Sequence, residues 1–221
     1  MKISKSQIDQ LGNRLRQDFL SNADLRMLDD YRKSFGEAYE EVVKKIRGKL
    51  KLEPTGRPAK STTSIIEKLH RESTRLSQVQ DIAGCRIVVR DIQKQDSIVK
   101  KLHEIFPSAS IMDRRVKPSY GYRAVHVIIK NLNKTIEVQI RTELQHGWSE
   151  FSEKLSDKMD SSIKYGGGSN KIQKMLYGIS ELINNYEKIE INILDKESKK
   201  RLINLKKEIA NLIKQHSKLF F

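Results

Sequence analysis

The sequence predicts an α+β fold: a mixed β-sheet flanked by helices, with helical extensions at its N- and C-terminal ends. Three observations predict it. Ile82–Val89, Val125–Ile129 and Thr135–Ile140 are short runs rich in β-branched and apolar residues, which read as strands. Stretches with apolar residues at spacings of three and four precede, separate and follow these runs, as amphipathic helices require. With 37% apolar and 32% charged residues, the 221-residue chain can bury one sizeable core and is not disordered throughout.

The elements follow in order. From Ser6 to Lys51 an apolar stripe runs through Ile8, Leu11, Leu15, Phe19, Leu28, Tyr31, Phe35, Tyr39, Val42, Val43 and Ile46, predicting two helices with a break near Leu20–Ala23. Pro54, Gly56 and Pro58 mark Leu52–Lys60 as a loop. Ser61 or Thr62 can cap a helix over Ser61–Arg75. After the first strand, Asp96–Ile105 reads as a helix. The last two strands are joined by a turn at Asn131–Lys134, and Thr142–Leu155 is helical again. Tyr165–Ser169, YGGGS, is expected to be a flexible joint before two further helices, Ile172–Ile193 and Lys196–Lys218. The expected organisation is N-terminal helices over residues 1–51, a core over 52–160 and C-terminal helices over 170–221.

Charge narrows the partners. Lys and Arg number 43 against 28 Asp and Glu, a formal net charge of +15, which favours polyanions and phosphate-bearing ligands. The excess is concentrated: Lys44–Arg75 holds ten basic and three acidic residues, and Asp195–Phe221 eight and three. Solubility alone is the plainer reading of such an excess. The single cysteine, Cys85, rules out an internal disulfide and reads as a small buried strand residue. The N-terminus lacks the apolar segment of a signal peptide, and no stretch approaches 18 apolar residues, so a cytoplasmic protein with no membrane association is expected.

Three clusters carry possible chemistry. In Gly56-Arg57-Pro58-Ala59-Lys60, followed by Ser64 and Lys68, a loop opens onto a helix start. Its unpaired N–H groups and two nearby cations suit a triphosphate, although basic residues before helices are common. Asp81-Ile82-Ala83-Gly84-Cys85-Arg86 sets an acid at the start of a buried strand and Arg86 inside it. A structural ion pair is the bland alternative, weakened because period two puts the pair on opposite faces. The third cluster runs from Lys117 to His126 and from Glu137 to Thr142. Glu137, Gln139 and Arg141 alternate with Val138 and Ile140, so all three face one way, either as a pocket or as a solvated sheet face. Tyr122, beside Gly121 on a turn, is placed to stack on a flat ring. No G-x-x-x-x-G-K-[ST] or G-x-G-x-x-G occurs, and His126 and His146 have no partner at zinc-ligand spacing.

Taken together, GRPAKSTTSIIEKL, QDIAGCRIVV, KPSYGYRAVH and EVQIRTELQH followed by WSE resemble the synthetase domain of the RelA/SpoT family over roughly Thr55 to Lys154. The resemblance implies a nucleotidyltransferase-like sheet and transfer of the β,γ-pyrophosphate of ATP to a 3′-hydroxyl. By motif, Arg57 and Arg86 would flank adenine, while Lys60, Ser64 and Lys68 would hold phosphates. Asp81 and Glu137 would bind Mg²⁺ and carry catalysis, with Glu137 also a candidate general base. Tyr122 would stack on the acceptor base, with Arg123, His126, Gln139, Arg141 and His146 around it. Two departures touch the site. GRPAK has one residue more between Arg57 and Lys60 than the commonest pattern. KPSYGYR shifts the lysine by one and sets Tyr120 where a small polar residue is common. The family's metal-dependent hydrolase domain is not expected, since no His-Asp dipeptide occurs.

Among small synthetases of this family the chain most resembles the toxic branch, through the altered acceptor loop and the IKYGGG segment. That implies the 3′ CCA end of tRNA as acceptor, arrest of translation and a partner antitoxin protein. The basic surface agrees, because a folded RNA rewards spread cations where a mononucleotide needs few. A guanosine alarmone from GDP or GTP, an adenosine alarmone, and a catalytically dead RNA-binding module remain the alternatives. Against the last, every charged motif position is filled: Lys60, Asp81, Arg86, Glu137 and Arg141.

Overall fold

The computed structural model describes residues 3–17, 20–193 and 195–219, except for the side chains of residues 57, 196 and 216–219. Phe19 of the expected first stripe and the Arg57 side chain thus lie outside the described residues. Three helices open the chain, α1 (Lys5–Arg14), α2 (Asn22–Lys33) and α3 (Gly36–Leu50), followed by β1 (Thr55–Arg57) and α4 (Thr62–Arg71). A 3-10 turn at Leu76–Gln78 leads to β2 (Ala83–Val89), α5 (Ile92–Ile105), β3 (Ser110–Asp113), β4 (Val125–Asn131) and β5 (Lys134–Thr142). Then come α6 (Glu143–Lys158), a second 3-10 turn at Ile163–Tyr165, α7 (Asn170–Asn192) and α8 (Lys196–Leu219). The strands hydrogen-bond in the order β1-β2-β5-β4-β3. This is the predicted class, a mixed sheet with flanking helices.

Four local features differ from the expectation. The N-terminal stripe forms three helices, not two. Ser34 ends α2 by turning its hydroxyl back to the Tyr31 carbonyl, and the apolar spacing runs across the break and hides it. The proline-flanked loop holds β1, a three-residue edge strand antiparallel to β2 with Gly56 opposite Cys85. Pro54 and Pro58 sit just outside it, where no ladder N–H is needed. β3 went unseen because all four of its residues are exposed, so it has no alternation. Tyr165–Ser169 is tied rather than loose: Gly166 N donates to Ile163 O, Gly167 N to Ser162 O, and the Gln173 amide to Gly167 O (2.6 Å). The turn between β4 and β5 is as expected, with Leu132 and Asn133 both at positive φ, the two-residue hairpin geometry.

The chain divides into two compact units that interleave in sequence. One comprises Met1–Ile87, Leu102–Ser110 and Val127–Gln139; the other comprises Val88–Lys101, Ile111–His126 and Ile140–Phe221. In the first unit Leu11, Leu28, Val42, Ile46, Ile65, Leu69, Ile82, Ile136 and Val138 are buried. In the second, Leu144, Trp148, Phe151 and Leu155 of α6 form one core with Leu176, Ile183 and Tyr186 of α7 and Leu202, Ile209 and Ile213 of α8. Each such side chain contributes roughly 1.5–3 kcal/mol through burial, so both units carry their own core.

Candidate active site

In the first unit the loop after β1 turns into α4. Ser61 caps that helix by accepting the Ser64 N–H (3.3 Å) and donates its own proton to the Ser64 hydroxyl (2.8 Å). The first-turn N–H groups of Thr62 and Thr63 have no intrahelical acceptor and point out of the helix start. Lys60 N is held by Ile82 O (2.6 Å), and the Lys60 carbonyl accepts from Arg32 Nε (2.6 Å). Arg32 Nη1 also reaches Thr62 Oγ1 (3.3 Å). Arg32 was not foreseen. On its own helix it reads as one exposed charge among several, and its long-range role leaves no periodic trace.

The two lysines expected to hold phosphates converge on the expected metal ligand. Lys60 Nζ lies 2.7 Å from Asp81 Oδ2, and Lys68 Nζ lies 2.9 Å from Asp81 Oδ1. Lys68 is two helical turns on from Lys60, so both ammonium groups reach one side of α4. Asp81 sits in the turn before β2, not in the strand, so the phase argument against Arg86 does not apply; its partners are these lysines. Burial works against ionisation of Asp81. The charges of Lys60 and Lys68, and their hydrogen bonds, outweigh it and bring the carboxyl down to about 2. The result is an anion gripped by two cations, all three about four-fifths buried.

On β5, Glu137 and Gln139 are neighbours on one face, with Gln139 Nε2 donating to Glu137 Oε2 (2.7 Å). Gly84 of β2 lets that strand approach: a Cβ there would lie 2.6 Å from the Glu137 carbonyl oxygen. Arg86, two residues on from Gly84, shares the Gly84 face of β2. Among the described residues, no three His, Cys, Asp or Glu side chains gather as a ready metal cage.

The second unit holds the aromatic and basic cluster. The Tyr122 hydroxyl is 2.8 Å from His126 Nε2 and accepts from Arg141 Nη2 (3.0 Å). The Arg141 guanidinium also lies over the Tyr122 ring, 4.9 Å from its centroid. His126 and Arg141 are buried, and Tyr122 is half-buried against the α6–α7–α8 core. His146, on α6, is 3.4 Å from Glu150. Tyr122 was expected on a turn beside Gly121, free to stack; it stands at the end of that turn with its ring half-buried. Ser119 and Tyr122 exchange two backbone hydrogen bonds, so they close the turn. Its corners are Tyr120 and Gly121, with φ of 53° and 88°.

Helix α7 holds this loop. Ser180 Oγ donates to Gly121 O (2.6 Å) and accepts from Arg123 Nε (3.0 Å), while the other Arg123 nitrogens bond Arg115 O and Glu181. Arg123 is only 5% exposed. It was expected around an acceptor; in the structure its three bonds tie the loop to α7. Helix α7 also fixes the end of β5. Glu187 accepts from the Thr142 hydroxyl and from Gln145 Nε2 (2.9 Å), and Gln95 Nε2 bonds Gln145 Oε1 (2.9 Å) and Ile140 O (2.8 Å). Burial raises the Glu187 carboxyl, and its hydrogen bonds from Thr142 and Gln145 only partly offset this. Ser180, Glu181 and Glu187 had no signal in the sequence beyond ordinary polar positions on an amphipathic helix.

Residues 56–162 match the family described as a region found in RelA / SpoT proteins. An uncharacterized protein of Mycobacterium tuberculosis is 37% identical over 111 residues, which cover 48% of this chain and 41% of that protein. A GTP pyrophosphokinase of Photobacterium angustum is 26% identical over 160 residues, 70% of this chain and 21% of its own length. The chain thus spans well under half of these relatives. Among solved structures, small alarmone synthetase 1 from Bacillus subtilis, bound to its product pppGpp, superposes with a TM-score of 0.56 at 22% identity. That match covers 75% of this chain and 96% of the other. A GTP pyrophosphokinase family protein from Streptococcus pneumoniae gives 0.53 at 25% identity, covering 86% and 98%. The fold is therefore that of the small alarmone synthetases. The matched region contains every residue to which the motifs gave a site role, and it ends before Ser180, Glu181 and Glu187.

Proposed function

We propose that the chain is an ATP-dependent pyrophosphokinase that moves the β,γ-pyrophosphate of ATP to a 3′-hydroxyl, with the 3′ CCA end of tRNA as acceptor. The observation that carries the transfer reading is the ionised Asp81 clasped by Lys60 and Lys68 beside the start of α4. Phosphoryl-type transfer needs positioned cations and carboxylates that can hold a metal more than covalent chemistry, and this cluster sets two cations about one carboxylate. In the reaction the 3′-oxygen bonds to the β-phosphorus, the bond from that phosphorus to the α-bridging oxygen breaks, and AMP leaves.

Lys60, Lys68 and the α4 N–H groups neutralise and orient the triphosphate, with Ser64 on the same turn. Mg²⁺ takes one or two carboxylates together with phosphate oxygens and water. Asp81 and Glu137 would be the carboxylates that hold it, and the ion would supply charge neutralisation on the transferring group. Glu137, held by Gln139, can accept the hydroxyl proton. Arg57 and Arg86 are assigned to the adenine, and Tyr122, His126, Arg141 and His146 to the acceptor side.

The tRNA acceptor is supported by the +15 charge and by the altered Tyr120 loop. An enzyme that blocks tRNA ends stops translation, so a neutralising antitoxin protein completes the proposal. A second reading, guanosine alarmone synthesis from GDP or GTP, is favoured by what the relatives are named for: a GTP pyrophosphokinase and a synthetase holding pppGpp. Deacylated tRNA, GDP, GTP and ADP offered separately with γ-labelled ATP distinguish them. Label on intact tRNA is the expected result. Label on a guanosine nucleotide alone would replace this reading with the second.

A further inference from the structure

The turn that presents Tyr122 carries an anomaly at its corner. Two-residue turns with both corners at positive φ are built from Asn, Asp or Gly, because a side chain there meets the backbone. Here the first corner is a tyrosine, Tyr120, at φ 53°. The residue is 58% exposed, so a large ring stands in water at a strained position.

The ring is nevertheless seated. Gly166, at φ 87°, lies against it so closely that a Cβ on Gly166 would come within 2.4 Å of two ring carbons. Gly166 therefore seats one side of the Tyr120 ring, and 58% of the residue stays exposed. Lys117, three residues before it, is exposed, and Lys164 lies two residues before the cradling glycine. A seated, exposed aromatic face with basic residues nearby in the chain is the kind of surface on which single-stranded nucleic acids stack their bases.

We propose that Tyr120 is a second base-stacking platform, which takes the nucleotide preceding the terminal one, so that this protein grips a single-stranded 3′ end. The proposal rests on the polynucleotide acceptor put forward above and adds the residue that selects it over a mononucleotide. Strain at the corner is retained because Asn or Gly, the relaxed choices, would give no ring.

Equilibrium binding of adenosine, CpA and CpCpA tests it, read in the full chain and in Tyr120→Asn and Tyr120→Phe. Asn suits the corner and keeps the turn; Phe keeps the ring. The full chain should bind CpA about 10-fold more tightly than adenosine. Tyr120→Asn should reduce that gain to under about 3-fold, and Tyr120→Phe should retain it. Absence of the gain in the full chain, or an equal gain in Tyr120→Asn, overturns the platform. Transfer of label from ATP to CpCpA or to GDP is followed in parallel. Label on GDP alone defeats the acceptor reading, whereas label on CpCpA with an unchanged binding gain defeats the platform and leaves the acceptor standing.

Discussion

Asp81 is the residue on which the donor side turns. Its carboxylate is surrounded by two lysines that would otherwise repel each other, so it serves as their counter-ion. Asp81→Asn should lower pyrophosphate transfer by more than about 100-fold. It should also lower stability by about 1–3 kcal/mol, because two largely buried ammonium groups lose their partner. Circular dichroism and labelled transfer measure the two effects separately; full transfer with a folded variant would remove Asp81 from the chemistry. The pH dependence has a definite sign. A carboxyl held at about 2, against an ordinary value of 3.8, stabilises the fold above the ordinary value. That contribution, roughly 2 kcal/mol, should disappear as pH falls from about 4 through 2. Urea midpoints measured across that range should drop in the wild type and drop less in Asp81→Asn. The sequence showed Lys60, Lys68 and Asp81 as chemistry-bearing residues because their types are costly to bury. It could not show that they meet, since the contact joins a loop, a helix and a turn with no shared period.

At the level of elements, α7 holds the loop proposed to meet the acceptor. Ser180 bonds both Gly121 and Arg123, and Glu181 completes the clasp. Ser180→Ala should raise the acceptor KM by about 3- to 10-fold with the ATP KM unchanged, and Ser180→Thr should restore part of the loss. A parallel rise in both KM values would mean that the residue acts on the fold and not on the loop. The β2–β5 pairing supplies a second test. Gly84→Ala pushes a methyl group into the Glu137 carbonyl, so it should cost about 1–3 kcal/mol, read from denaturant melts. Periodicity revealed the helices, and runs of β-branched and apolar residues revealed the three central strands, of which β4 is buried along most of its length. The pattern missed β1, flanked by prolines, and β3, exposed along its length. It also read YGGGS as a joint when its glycines serve contact with Tyr120 and hydrogen bonding to Gln173. Composition alone cannot separate a glycine kept for freedom from one kept for close approach.

For the whole molecule the charge is the governing quantity. A net +15 raises association with any polyanion, and a tRNA acceptor that contacts several lysines and arginines should release counterions in proportion. Binding of deacylated tRNA should therefore weaken steeply with salt, with a log–log slope of about −3 or steeper, while ATP binding changes far less. A flat salt response would mean that the basic runs at Lys44–Arg75 and Asp195–Phe221 do not touch the acceptor. Among the described residues no helix is long and apolar enough to cross a membrane.

Transfer of pyrophosphate as a unit is the central claim, and ATP labelled separately at the β and at the γ phosphorus tests it most directly. With deacylated tRNA as acceptor, both labels should reach the same product in equal amounts, with one AMP released for each. Transfer of the γ label alone, with release of ADP, would make the chain an ordinary phosphokinase and contradict the proposed chemistry.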